Sequence, residues 1–453
     1  MRFRHSTVSF AVAGALAACA TSGADNLHGP VYENEAGPAQ EGGADAAAET
    51  STGGAAGGDA GGDVAAVDGP VESAAAEGGG PGDGASETGG DTGTPETGVP
   101  EDTGAPETGA TCTSSMALLA ASASSLGEAV YGHGLWSTAT TVTGGAAAAP
   151  TLVPLGSGYL ASFVGAGATG DLPLKWTAYA GSSWTAPAAI GAALGQGTPA
   201  LAVIGTTGHV VYWGSDSKFY HGTYSGSAWD AASDPVGGSG ASQSFGPSAP
   251  AAASTGTTLL AVQSGSNGLV YDESWTGSWQ AATALAGSSV VSDLSPAVVA
   301  MNGGAAELLQ VFVHAGDAGS YYLEYATRTA GTWSAPANVY AQGTTIAYAG
   351  TTPALAALPS GGAILAWQGS SPAYPYVSTY SAAGWTAPVA VSSDTLLSPP
   401  SVAPGVCGAD AVMAYVKTGG AVTVVTTSGG TWATPQPIAG ATGMQWVAVA
   451  AVP

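Results

Sequence analysis

Beyond residue 111 the apolar positions fall into short runs broken by Gly, Ser, Thr and Asn. Typical are "AILAWQG" (Ala363–Gly369) and "YPYVSTY" (Tyr374–Tyr380). Runs rich in Val, Tyr, Trp and Thr between turn formers predict β-strands. No stretch holds a helical period over a dozen residues, so the expected class is all-β.

The runs repeat. "SSWTAPAAI" (Ser182–Ile190), "GTWSAPANV" (Gly331–Val339), "AGWTAPVAV" (Ala383–Val391) and "GTWATPQPI" (Gly430–Ile438) are versions of one phrase. Its Trp recurs as Trp136, Trp184, Trp229, Trp279, Trp333, Trp385 and Trp432, at gaps of 48, 45, 50, 54, 52 and 47 residues. A second phrase follows most of them: Thr198-Pro199-Ala200-Leu201, Ser295-Pro296-Ala297-Val298 and Thr352-Pro353-Ala354-Leu355, with looser versions at Pro150, Pro250 and Pro400. Two further runs separate the phrases, so each unit reads as four strands. Pro opens the first of them, where a missing N–H is tolerated. Four-stranded units at this period predict β-propeller blades. The Trp opens the outermost strand, and Tyr131, Tyr179, Tyr224 and Tyr380 stand five residues before theirs. Facing positions across a tight hairpin have that spacing, which assigns these aromatics to the scaffold.

Seven Trp phrases meet six Pro phrases, and "MQWVAVAAV" (Met444–Val452) supplies the seventh innermost strand. The N-terminal run Met116–Val142 supplies the other strands of that unit. The expected head is thus one domain over 112–453, a seven-bladed β-propeller of four-stranded blades, with one blade built from both chain ends to remove open edges.

The ends of the chain extend this picture. Residues 1–18 read as a signal peptide, with Arg2 and Arg4 ahead of an apolar stretch too short to span a bilayer. Leu16-Ala17-Ala18-Cys19 resembles a bacterial lipobox. That resemblance implies cleavage before Cys19 and lipidation of its thiol, with the protein anchored in the cell envelope, at the outer membrane or cell surface. Residues 19–111 form an acidic Gly/Ala/Pro/Thr-rich segment with no Lys or Arg. It cannot bury enough apolar surface to fold, which predicts a disordered linker. Cys112 and Cys407 remain, in an oxidising compartment, and fall at equivalent turns on either side of the ring seam; a disulfide between them is expected.

Charge removes several functions. The formal net charge is −25, and beyond residue 111 the cations are Lys175, Lys218, Lys417 and Arg328 alone. Phosphate neutralisation is not available, so nucleic acid is excluded as a partner, and anionic glycans and lipid surfaces are disfavoured. No Gly-x-Ser-x-Gly, His-Glu-x-x-His or phosphate-loop motif occurs in the head. There is no CxxC or Cys/His cluster for a metal, and calcium is conceivable from acidic turns but lacks its loop motif. No cofactor and no catalytic residue is assigned, and enzymatic activity stays undecided with the balance against it.

In its Trp and Pro phrasing, the head resembles the sialidase-type and fucose-binding-lectin propellers. The sialidase Asp-box is missing, and one Arg cannot form that family's three-arginine clamp. The fucose lectins repeat an Arg, Glu and aromatic pocket between blades, so the resemblance allows at most one such pocket here. Residues that vary between units at strand ends are the candidate ligand contacts: Lys175, Trp176, Trp213, His221, Asp272, Glu273, Glu324, Trp367 and Gln368. They supply aromatic platforms and polar acceptors of the kind neutral sugars use. The leading expectation is a surface-tethered, non-catalytic and monomeric binder of neutral carbohydrate or another extracellular ligand. The alternatives are a structural or protein-interaction component of an envelope assembly, or a glycoside hydrolase, which needs two suitably spaced carboxylates.

Overall fold

The protein is described by a computed structural model covering residues 114–452, apart from 133, 168–171, 231–233, 237–247, 292–293, 302–306, 317–320, 341–350 and 371. The signal segment 1–18, Cys19, the linker and Cys112 lie outside the described residues. Every regular element among the described residues is a strand.

Each sheet is an antiparallel meander running outward from the axis. A representative one starts with Ala354–Leu358 at the centre and proceeds through Gly362–Gln368 and Pro375–Ser381 to Gly384–Trp385. The second strand is buried along its whole length, as is its counterpart Gly158–Val164. A strand packed on both faces reads as a continuous apolar run, which is why these segments show no alternation. Apolar clusters fill the space between adjacent units, for example Leu365, Trp367 and Tyr376 with Val311, Val313 and Leu323.

The ring closes as the two chain ends predict. Ser115–Ala121 pairs antiparallel with Trp446–Val452, from Ser115↔Val452 to Ala121↔Trp446. Ser125–Gly132, Leu135–Trp136 and Thr140–Thr143 complete that sheet. The aromatic hairpin pairs also form. Tyr131 faces Trp136, Tyr179 faces Trp184, Tyr224 faces Trp229 and Tyr380 faces Trp385, with ring centroids 5.5, 5.5, 5.4 and 5.1 Å apart.

The expected seven separate four-stranded blades are not what forms. Among the described residues the strands assemble into six sheets: one of four strands, four of five and one of seven. Counted by hydrogen-bonded sheets, the ring is therefore six-bladed. The cause is Ala188–Ile204, a 17-residue strand that leaves one repeat unit as its outer edge and enters the next as its innermost strand. Its middle bonds to both units, at Leu194↔Pro173, Gly195↔Gly214 and Gln196↔Trp213, with a register shift on either side. Gly191 (φ 54°) and Gly197 (φ 69°) take left-handed conformations that let the chain turn this corner without leaving the ladder. The outer strand is also split in most sheets, as in Gly384–Trp385 and Val389–Ala390, which raises their strand number from four to five.

Candidate functional site

The strand registers define one position that compares all repeat units: the residue three before the partner of the outer Trp. It is occupied by Glu128, Trp176, His221, Asp272, Tyr325, Val377 and Val424. From it the side chain faces the next unit. Trp176 meets Tyr224 at 5.0 Å, His221 meets Trp275 and Trp279 at 5.3 Å each, and Tyr325 meets Tyr380 and Trp385 at 5.6 Å each. Val377 shares a cluster with Trp432, and Val424 shares one with Tyr131 and Trp136. These interfaces are plugged by rings and aliphatic groups.

At Asp272 the construction changes. The facing residue, Tyr in four other units, is here Arg328, paired across its hairpin with Trp333. Between the two sheets lies a cavity of about 450 Å³ lined by Asp272, Ser274, Gln280 and Thr283 on one side and Arg328, Thr332, Trp333 and Ser334 on the other. That volume suits a small ligand. Burial raises the Asp272 pKa above the usual carboxylate range, and the Trp333 indole and the Arg328 guanidinium pull it back. Asp272 Oδ1 and Arg328 Nε are both buried and unpartnered, whereas the unpartnered indole nitrogen of Trp333 is shared with Trp184, Trp229, Trp279 and Trp385 of other units. A carboxylate oxygen and a guanidinium nitrogen left without partners beside a cavity are costly unless something enters to bond these groups.

The larger cavity, about 510 Å³, lies on the axis and is lined by the Pro phrases, with Trp446 as its one aromatic. Among the described residues no charged side chain lines it. It offers little to orient a polar ligand.

Of the nine residues predicted from sequence, Asp272 alone lines the inter-sheet cavity. Glu273, next along the strand, points to the opposite face, where Oε1 accepts from Gln263 Nε2 at 3.0 Å. Burial and the neighbouring Asp272 charge push it up to about 7. Asp272 and Glu273 therefore cannot act on one bond, and the cavity lining contains a single carboxylate. Glu324 bonds His314 Nδ1 at 2.9 Å. It stands four residues from Arg328, roughly 13 Å along an extended strand. Trp213 packs edge-on against Phe219 at 4.6 Å, and fully buried Trp367 stacks on Tyr376 at 5.8 Å. Gln368 donates from Nε2 to the Leu396 carbonyl at 3.3 Å. The Lys175 stem lies over Gly165, where a Cβ would collide with it. Trp176 and His221 are the interface plugs described above. Arg328, Trp333 and Gln280 are the site residues that the list of candidates omitted. Among the described residues no three or more of His, Cys, Asp and Glu gather as metal ligands.

No protein-family model matches the sequence, and no curated protein matches it. Similar solved structures do exist. The lectin BP39L from Burkholderia pseudomallei aligns at 16% identity with a TM-score of 0.54, covering 72% of this chain and 95% of that one. A six-bladed fungal propeller lectin from Aleuria aurantia aligns at 15% identity and TM-score 0.44, over 65% and 96% of the two chains. AofleA from Arthrobotrys oligospora aligns at 14% identity and TM-score 0.47, over 66% and 89%. At such identities the first of these likenesses shows the fold alone. The chain is a β-propeller.

Proposed function

We propose that this protein is a non-catalytic binding protein that takes a neutral carbohydrate into the cavity between Asp272 and Arg328. The observation that carries the reading is the lining of that cavity by a carboxylate and a guanidinium, with Asp272 Oδ1 and Arg328 Nε buried and unpartnered, beside the Trp333 ring. A hydroxyl donates and accepts at once, so vicinal hydroxyls can bond the carboxylate and the guanidinium together, while an indole covers the apolar face of a sugar ring. Asp272 and Arg328 cancel in charge, which suits a ligand with none. Lectins are among the proteins built on this fold, as the Burkholderia pseudomallei structure illustrates.

The same reading places the propeller at the cell surface, lipidated at Cys19 and held off the membrane by the acidic segment 20–111. Cys112 and Cys407 form a disulfide that pins the ring near its seam. In support, Cys407 Sγ lies 3.9 Å from the carbonyl oxygen of Ser114, two residues from Cys112.

The test is a glycan array with the full chain and with Asp272→Asn and Arg328→Lys. Binding to a defined neutral glycan, weakened at least about tenfold by either change, supports the proposal; a lost hydrogen bond to a charged partner is worth that much. If no displayed neutral glycan binds, the carbohydrate reading fails and partner capture from the envelope takes its place.

A further inference from the structure

The interface next to the cavity carries an unusual plug. His209 Nδ1 and His221 Nε2 are 3.0 Å apart, and the rings are parallel to within 2° with centroids 5.2 Å apart. Both side chains are buried, at 2% and 3% exposure. Trp275 packs on both imidazoles, at 5.0 Å from His209 and 5.3 Å from His221, and Trp279 meets His221 edge-on at 5.3 Å. At this separation one N–H donates to one bare ring nitrogen, so the pair holds a single proton between its facing atoms. A second proton would set two N–H groups against each other inside an apolar interface.

The charged and titratable groups around the pair are few. Asp230, on the adjacent outer segment, is already engaged: Oδ1 accepts from Thr223 N and Oδ2 from Thr223 Oγ1, both at 2.6 Å. Asp234 is the register partner of His221 on its own sheet. Across the interface, Glu273 and Tyr271 share the face of Val270–Trp275 that carries Trp275, with Glu273 bonded by Gln263. Burial lowers the pKa of both histidines, His221 to about 4, with the His209 charge adding to the effect and Asp230 opposing it.

Val270–Trp275 is also the strand that carries Asp272 on its opposite face. We propose that the His209–His221 pair is an acid-operated latch: charging it opens the interface with Val270–Trp275, displaces that strand, and releases the ligand held at Asp272. The release step rests on the carbohydrate reading, whereas the latch stands on the imidazole geometry alone. The unfolded chain takes up protons near the ordinary histidine value, while the folded pair resists them. The interface therefore weakens as pH falls from about 6.5 toward 4.

The experiment compares the full-length wild type with the double variant His209→Leu/His221→Phe, which fills the same space and cannot charge. Amide hydrogen exchange of Phe219–Tyr224 and Val270–Trp275 is followed at pH 7, 5.5 and 4.5, corrected for the intrinsic rate. Binding of the methyl glycosides of fucose, galactose, mannose and glucose is titrated alongside. The expected result is a loss of protection of about tenfold or more in the wild type at low pH, confined to this interface and absent from the variant. Any glycoside bound at pH 7 should be released in parallel by the wild type and retained by the variant. Equal loss of protection in both proteins overturns the latch and assigns the effect to Asp272 or Glu273. If the variant does not fold, imidazole resonances of the wild type decide: titration at the ordinary histidine value overturns the proposal, and titration well below it, with exchange rising in step, supports it. Failure of every glycoside to bind at any pH removes the cavity reading and the release step, with the exchange data still judging the latch.

Discussion

Glu128 provides a stringent test of how this ring tolerates buried charge. It stands opposite Leu119 in the sheet that joins the chain ends, at the position that Asp272 holds in its own unit. Its side chain is 4% exposed, and Oε1 has no partner. Two residues earlier on the same face, Leu126 packs in the cluster that includes Tyr179 and Trp184. Burial pushes the carboxyl up to about 8 from its usual 4.5. Below pH 4.5 folded and unfolded chains both hold the proton and no cost arises. As pH rises toward 8 the unfolded chain ionises while the folded one does not, so stability declines; above 8 the full cost is present. At 1.36 kcal/mol per pKa unit the shift corresponds to about 5 kcal/mol, and water entry into the interface brings a realistic figure nearer 2–5 kcal/mol. Glu128→Gln keeps the shape and removes the titration. Urea unfolding of both proteins at pH 5, 7 and 9 should show similar stability at pH 5 and a growing advantage for the variant above it. Slopes from Glu273 and the histidines are common to both proteins and cancel in the difference. A gap that stays constant, or narrows as pH rises, would refute the reasoning.

Three further outcomes follow from named contacts. Cys407→Ser should lower stability by about 4–5 kcal/mol, since the expected disulfide closes a loop of nearly the whole ring; identical unfolding midpoints with and without reductant would show that no bond is present. Trp367→Ala should destabilise by about 3–5 kcal/mol through the cavity left beside Tyr376 and Val313. Its glycan affinity should match the wild type below the new unfolding transition, in contrast to Asp272→Asn. Ala188–Ile204 should resist Pro substitution at Gly195, which lies in the fused ladder opposite Gly214; thermal unfolding that shows no loss for Gly195→Pro would mean the seven-stranded sheet does not form.

Much of the scaffold was legible because it is written in spacing. A Tyr five residues before a Trp is a statement about two strands and a two-residue turn, and four such pairs sit where that statement puts them. The closing strand was legible for the same reason: Trp446 follows Trp432 as Pro150 follows Trp136. Sheet number was not, because the break between blades depends on whether a connection hydrogen-bonds. "GAALGQG" looks like any other Gly-rich link, yet it pairs with both neighbouring units. Ligand candidates suffered from a different difficulty. Trp213, Trp367 and Gln368 vary from unit to unit and look like surface chemistry, but a strand packed on both faces buries its variable residues as thoroughly as its regular ones.

The cavity itself left a trace that residue type alone conceals. Arg328 occupies the place of the hairpin Tyr, five residues before Trp333, and Asp272 occupies the place where the preceding units carry Trp176 and His221. The two departures fall in adjacent units, and the register turns that adjacency into contact. An aromatic pair exchanged for a carboxylate and a guanidinium gives up apolar burial at an interface that five of the other units fill with rings or aliphatic side chains, the sixth carrying Glu128. A ring held together by such interfaces would lose little by keeping all of them dry. Glu128 also buries an unpartnered carboxyl at this position, but only the Asp272 interface adds a guanidinium and a cavity to it, and there a requirement other than stability has set the sequence. The imidazole pair next to it, sharing the strand that carries Asp272, is the second such place. These two departures meet on Val270–Trp275, away from Glu128, and on that strand any ligand and any response to acid should be sought together.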